Sequence, residues 1–351
     1  MPATSCISRC RPRRSTTRPK AASPAGRKPQ RSRILTRQSL RQPSRQQGNT
    51  MRYGFIGLGH LGKHLAASLV KGGFQVSVHD RDKAAAEPLL KRGAAWAASP
   101  AEAAQDADGL ITCLPSPKAS ESVIAAALPG FKSGATWIEM STVDEDTLAR
   151  LSPKLAGRKV EILACPVTGG VHRAEAGEIT VLVGGDKALF ERHRGALEAM
   201  GGEVIHLGGH AQASVTKVVT NMLAFIHLIA AGEALMLCKK GGVDLATAFR
   251  AIKASSGNSF VHETESQVIL NGSYDIGFTM DLACKDSGFA LDMGRRFGVP
   301  LKLAGLMEQT FIEGRAKYGG EAWSSMIVKL LEDSVGEALR APGFPARLEA
   351  G

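Results

Sequence analysis

The chain has 351 residues and a formal charge of +11 at pH 7, long enough for two domains and a sizeable core. The charge is lopsided: residues 1–50 hold 13 Lys or Arg and no acid, leaving 31 basic against 33 acidic groups over 51–351, a net of −2. Of six cysteines, Cys6 and Cys10 lie in the first ten residues and Cys113, Cys165, Cys238 and Cys284 are widely separated, with no C-x-x-C pair; this argues against a disulfide framework and an ordinary zinc site, and fits reduced thiols in a cytoplasmic protein.

Residues 1–50 are rich in Arg, Ser, Pro and Gln and nearly free of large apolar side chains, so they cannot form a core and are expected to be disordered. Three readings compete for them. A mitochondrial transit peptide would share the composition but should show an amphipathic helix, and only Ile34, Leu35 and Leu40 offer an apolar face. A nucleic-acid-binding arm would follow from the charge alone. The preferred reading is that translation starts at Met51, directly before the first strand, with the tail an over-extended reading frame.

From Met51 the pattern becomes globular. Tyr53, Phe55 and Ile56 form a short apolar run into Gly57-Leu58-Gly59-His60-Leu61-Gly62, and a helical pattern follows through Val70. This is G-x-G-x-x-G between a strand and a helix: the first glycine for the turn, the second for approach of a pyrophosphate, the third for packing of helix on strand. Helix N-terminal N–H groups would meet the anion. A second strand, Gly73 to Val78, leads to Asp80-Arg81, about 20 residues on, where an acceptor for a ribose 2′-OH belongs. Asp80 favours NAD, and Arg81 leaves NADP as a tolerated second cofactor.

Helix and strand then alternate: a helix over 83–92, a short strand at 94–96, a helix opened by Ser99-Pro100, and buried strands at 109–114, 135–140 and 160–165. This implies a Rossmann-type doubly wound parallel sheet with ligands at the carboxyl ends of its strands. Leu114-Pro115, Ser141-Thr142 and the run Pro166-Val167-Thr168-Gly169-Gly170 fall at those ends. Strand signals fade after His206. Helices are expected at 215–240, 245–253, 263–271, 282–297, 301–317 and 322–331, so an all-α domain over 210–345 follows a Rossmann domain over 51–209. Residues 218–238 are the one apolar stretch near membrane length, but Asn221, His227 and Glu233 interrupt it, which points to a buried inter-domain helix and no membrane.

On that helix Lys217 and Asn221 stand one turn apart and share a face. A lysine on an element otherwise committed to burial must meet a cleft, a counter-charge or a ligand, since burying an unpaired ammonium is very costly. Snorkelling near the helix start is the bland alternative. The histidines show no metal-ligand spacing, and no metal is expected.

The stretch from Met51 to about Glu332 resembles the β-hydroxyacid dehydrogenase family, near the 3-hydroxyisobutyrate dehydrogenases and tartronate semialdehyde reductases. Four motifs occur in order: GFIGLGHLG, Pro166 to Gly170 continuing through Ala174 and Gly177, Lys217-Val218-Val219-Thr220-Asn221, and Phe278 through Lys285-Asp286. The resemblance implies that Lys217 is the proton donor or acceptor, that Thr168, Gly169 and Gly170 hold the substrate carboxylate, and that Asn221 orients the substrate. It further implies that Lys285 closes over the nicotinamide side and that Leu114, Pro115 and Thr142 line the nicotinamide-ribose pocket. A homodimer or homotetramer acting on a small β-hydroxy acid, 3-hydroxyisobutyrate-like, is expected. Departures are Ala164 where the family often has Asp, Ala211-Gln212-Ala213 where it has G-x-G, and Glu145 where it has Pro; none removes a proposed catalytic group, and they bear on substrate choice. The rivals are a 6-phosphogluconate-dehydrogenase-like enzyme, which would need a larger helical domain and a basic phosphate site, and a nucleic-acid-associated protein using the tail. The net charge of −2 predicts no nucleic-acid binding by 51–351.

Hydride leaves carbon while a proton leaves oxygen, so a positioned base is required. An ordinary lysine is neutral only about 0.04% of the time at pH 7. Lys217 is therefore ready as the acid for reduction, whereas oxidation needs a depressed pKa or alkaline solution.

Overall fold

The structure is a computed structural model in which residues 51–349 are described. The basic extension over 1–50 lies outside the described residues. Strand β1 (Arg52–Ile56) runs into α1 (Gly62–Lys71), then β2 (Gln75–His79), α2 (Glu87–Leu90), β3 (Ala95–Trp96), α3 (Pro100–Ala104) and β4 (Gly109–Thr112). There follow α4 (Pro117–Ala127), β5 (Thr136–Glu139), α5 (Glu145–Ala156) and β6 (Glu161–Ala164). These six strands form one all-parallel sheet in the order β3-β2-β1-β4-β5-β6, the doubly wound order with its switch point between β1 and β4.

The central strands β1, β4 and β5 are buried almost throughout, as a sheet covered on both faces requires, and successive side chains enter opposite layers. Phe55, Ile111, Ile138 and Leu163 enter one apolar layer with Leu65 and Leu69 of α1. Ile56, Leu110, Trp137 and Ile162 enter the opposite layer with Ile124 of α4 and Leu148 and Leu155 of α5.

A second, three-stranded sheet was not anticipated. β7 (Val167–Thr168) pairs antiparallel with β8 (Thr180–Val183), with α6 (Val171–Ala176) between them. β8 runs parallel to β9 (Glu203–His206) after α7 (Lys187–Met200). The two residues of β7 are too few for periodicity to register.

The second half is helical: α8 (His210–Lys240), α9 (Leu245–Lys253), α10 (Phe260–Asn271), α11 (Met280–Phe297), α12 (Lys302–Tyr318) and α13 (Ile327–Val335). α8 packs against α10, α11, α12 and α13, and Phe225, Leu228, Leu235, Ile269, Met280 and Phe311 share its core. By length and composition alone α8 could cross a membrane; here it is the axis of the helical half.

Several expected boundaries move. The helix over 83–92 is split into a 3₁₀ turn, Lys83–Ala86, and α2, because Pro88 has no N–H to continue the first turn. The last helix begins as a 3₁₀ turn at Ser324–Met326 and runs on to Val335. α8 starts at His210 rather than Val215. Its first turn fits because residue 184 is glycine: a Cβ there would lie 2.8 Å from the Ala213 methyl and 2.4 Å from Gly209 O.

Candidate active site

The glycine loop at the end of β1 divides its labour among three positions. Gly57 has φ +98°, and a Cβ on it would fall 2.3 Å from Cys113 O. A Cβ on Gly62 would fall 2.0 Å from Gly57 O, so α1 can seat on the strand only without one. At Gly59 a Cβ would meet nothing within 4 Å. The glycine there answers no need of the protein itself, and the open approach above it suits a pyrophosphate at the start of α1. Leu58 is buried, Leu61 is partly buried and packs on the core, and exposed His60 meets Trp323 of the helical half edge-on at 5.5 Å.

At the end of β2, Asp80 accepts from the Leu58 N–H at 2.6 Å and from the Asp82 N–H at 2.9 Å. The carboxylate is thus anchored to the glycine loop, while Arg81 stands exposed beside it. The next strand ends supply the nicotinamide-side candidates. The Leu114 N–H donates to Ser141 Oγ at 2.7 Å, Pro115 is exposed and Thr142 half-buried. Glycine geometry, the anchored acid and the strand-end loops together fit a nicotinamide dinucleotide.

Across from this grip, α8 presents Lys217 and Asn221, each 8% exposed. Lys217 Nζ donates to Asn221 Oδ1 at 2.8 Å, and Asn221 Nδ2 donates to Asp286 Oδ2 on α11 at 2.6 Å. The carboxylate fixes the amide orientation: Nδ2 must face the acceptor, so Oδ1 faces the ammonium. Asp286 Oδ1 lies 2.9 Å from Lys285 Nζ as an ion contact, and Lys285 also donates to the Thr142 carbonyl at 2.9 Å. One polar chain therefore runs from Lys217 through Asn221, Asp286 and Lys285 to the end of β5. Burial lowers the Lys217 pKa to about 8, with Lys285 lowering it further and Asp286 opposing. Lys217 has three N–H donors and uses one among the described residues.

α8 also packs against β7, which ends at Thr168. Beyond it Gly169 (φ +124°) and Gly170 (φ +90°) adopt backbone that only glycine takes readily, and Gly170 caps α6. Neither donates a backbone hydrogen bond among the described residues.

The structure thus assembles Lys217, Asn221, Lys285 and Thr142 directly, with Thr168 ending the strand beside α8 and Gly169 and Gly170 following it. Sequence reasoning missed Asp286, which was read only as the end of a motif. A buried acid one helical step from Lys285 was the available signal. The Ser255–Asn258 stretch turns on itself, with Gly257 N–H donating to Ser255 Oγ at 3.1 Å and Asn258 to Glu263. His206 and His210 bond to backbone carbonyls of Gly185 and Ile162, and no group of three or more potential metal ligands occurs among the described residues.

A dinucleotide grip at strand ends facing a buried lysine defines a nicotinamide-dependent oxidoreductase. Residues 52–208 match the family described as the NAD binding domain of 6-phosphogluconate dehydrogenase, and 211–331 the family described as NAD-binding of NADP-dependent 3-hydroxyisobutyrate dehydrogenase. The chain is 32% identical over 291 residues to 2-(hydroxymethyl)glutarate dehydrogenase of Eubacterium barkeri, covering 82% of this chain and 97% of that one. It is 32% identical over 279 residues to L-threonate dehydrogenase of Cupriavidus necator, covering 78% and 94%. The solved structure of Mycobacterium tuberculosis 3-hydroxyisobutyrate dehydrogenase with L-serine superposes with a TM-score of 0.73 at 28% identity, covering 81% of this chain and 99% of that chain. The chain belongs to the β-hydroxyacid dehydrogenase family: it is an NAD(P)-dependent oxidoreductase acting on the CH–OH group of a small hydroxy acid.

Proposed function

We propose that the substrate is a short β-hydroxy acid, 3-hydroxyisobutyrate-like, that Lys217 exchanges the hydroxyl proton, and that NAD is preferred to NADP. The observation that carries the reading is the buried Lys217–Asn221–Asp286 chain. A lysine held near pKa 8 supplies both protonation states around neutral pH, so one residue serves as base in oxidation and acid in reduction. Asn221 holds the Nζ in place, and the Thr168-Gly169-Gly170 turn offers a hydroxyl and N–H groups to the carboxylate. When bound, the nicotinamide ring accepts or returns the hydride. Leu114, Pro115 and Thr142 would flank it, and Lys285, tied to Thr142, closes that side. Asp80 supports NAD, since a carboxylate already anchored to the loop accepts from a 2′-OH and repels a 2′-phosphate.

Two further features belong to the same reading. Val219 and Leu223 of α8, Phe297 at the end of α11, Val299 just after it, and Leu303 and Leu306 of α12 are all more than 40% exposed. A small apolar groove of about 140 Å³ lies between α8 and α11. This surface supports a homodimer or homotetramer. Cys113, Cys165, Cys238 and Cys284 are free thiols among the described residues and support a cytoplasmic location.

Lys217→Ala is expected to lose about 10²–10⁴ in kcat while its affinity for NADH, read by fluorescence titration, stays near wild type. Retained turnover would remove Lys217 from the mechanism.

A further inference from the structure

The best-buried acid in the dinucleotide half has no role in the scheme above. Glu139 ends β5, is 0% exposed, and makes no ion pair among the described residues. Its Oε1 accepts from the Ser141 N–H at 2.8 Å, and its Oε2 has no hydrogen-bond partner. Hydroxyls of Ser141, Ser120 and Thr112 surround it. The Thr112 hydroxyl takes the Trp137 indole N–H at 2.8 Å, leaving its own proton free to turn toward the acid. Ser120 Oγ is likewise buried without a partner.

A carboxyl sealed among hydroxyls, with no ion pair among the described residues, is costly to hold in its charged form. Burial accordingly pushes its pKa up. A neutral acid can both accept and donate, which a carboxylate cannot. Such an expensive buried group is kept where position matters. Glu139 sits where two strand-end loops meet. Its bond to the Ser141 N–H fixes that residue, whose Oγ takes the Leu114 N–H at 2.7 Å. The next carbonyl, Thr142 O, receives Lys285. One side chain thus stands behind both loops assigned to the nicotinamide end.

We propose that Glu139 is a positioning residue of the hydride-transfer site, a buried acid that sets Ser141 and, through it, Leu114 and Thr142 against the nicotinamide. The proposal rests on the placement of the cofactor at these loops.

The test compares Glu139→Ala, Glu139→Gln and Ser141→Ala with wild type, measuring KM for NAD, KM for the hydroxy acid, kcat and the thermal midpoint. Losing the link should raise KM for NAD about tenfold, the worth of one buried hydrogen bond, and lower kcat, with a smaller change in KM for the hydroxy acid. Gln, an uncharged isostere, should recover most of what Ala loses. Ser141→Ala, which leaves Glu139 in place, should reproduce the NAD effect even if Glu139→Ala folds poorly. A fall in thermal midpoint with KM for NAD unchanged in both Ala variants would overturn the proposal, as would a Gln variant as impaired as Ala. Gly59→Val is the control for the cofactor site. If it abolishes NAD binding while Glu139→Ala and Ser141→Ala do not weaken it, only the positioning role fails. If Gly59→Val also leaves NAD binding intact, the cofactor placement itself fails, and the proposal with it.

Discussion

The pKa of Lys217 makes the pH dependence of the two reaction directions a direct test of the site. Burial brings the ammonium down from 10.5 to about 8, so at pH 7 about 9% of the lysine is neutral, roughly two orders of magnitude more than for a free side chain. Oxidation, which needs the base, should rise about tenfold per pH unit below 8 and level off above it. Reduction, which needs the acid, should be flat below 8 and fall above it. The charged neighbours fix the sign of two perturbations. Asp286 raises the Lys217 pKa, so Asp286→Asn, which keeps an acceptor for Asn221, should move the inflection down. Lys285 lowers it, so Lys285→Met should move the inflection up. The assay is kcat/KM for the hydroxy acid from pH 6 to 10 with saturating NAD, which reports the group before substrate binds. An inflection near 10, or shifts of the reverse sign in the two variants, would refute the assignment.

Other consequences are simpler. Gly59→Ala should leave the thermal midpoint nearly unchanged while weakening NAD binding, because its Cβ meets only open space; Gly54→Ala, whose Cβ would fall 2.0 Å from Ala103 O, should lose about 1–3 kcal/mol of stability by denaturant titration. Asp80→Ala should raise the NADP-to-NAD ratio of kcat/KM by about tenfold or more, since it removes the 2′-phosphate repulsion, and an unchanged ratio would shift cofactor choice elsewhere. Val219→Glu with Leu223→Glu should reduce the mass measured by light scattering if the exposed α8 face joins copies of the chain. Neither change touches Lys217 or Asn221.

Much of this was legible from residue order because the signals are local. Strand–glycine–helix order, the acid after β2 and the i, i+4 pair on α8 each lie within a few residues of one another, where backbone geometry alone carries the argument. What escaped was held by contacts distant in sequence. Asp286 lies 65 residues from the amide it orients, and Glu139 acts through Ser141 on a loop 27 residues before it. The short β7 was unreadable for another reason: its two residues owe their pairing to β8 rather than to any preference of their own. The early start of α8 depended on a missing methyl at Gly184, which no inspection of the helix itself would reveal.

The long helix α8 has one more implication. Successive residues turn about 100° around its axis, so Val219 and Leu223, two places beyond Lys217 and Asn221, emerge on the far side of the same rod. Chemistry and stickiness are back to back, separated by the width of one backbone. Whatever leans on the outer flank presses on the piece that holds the proton carrier, with no flexible joint between them to absorb the push.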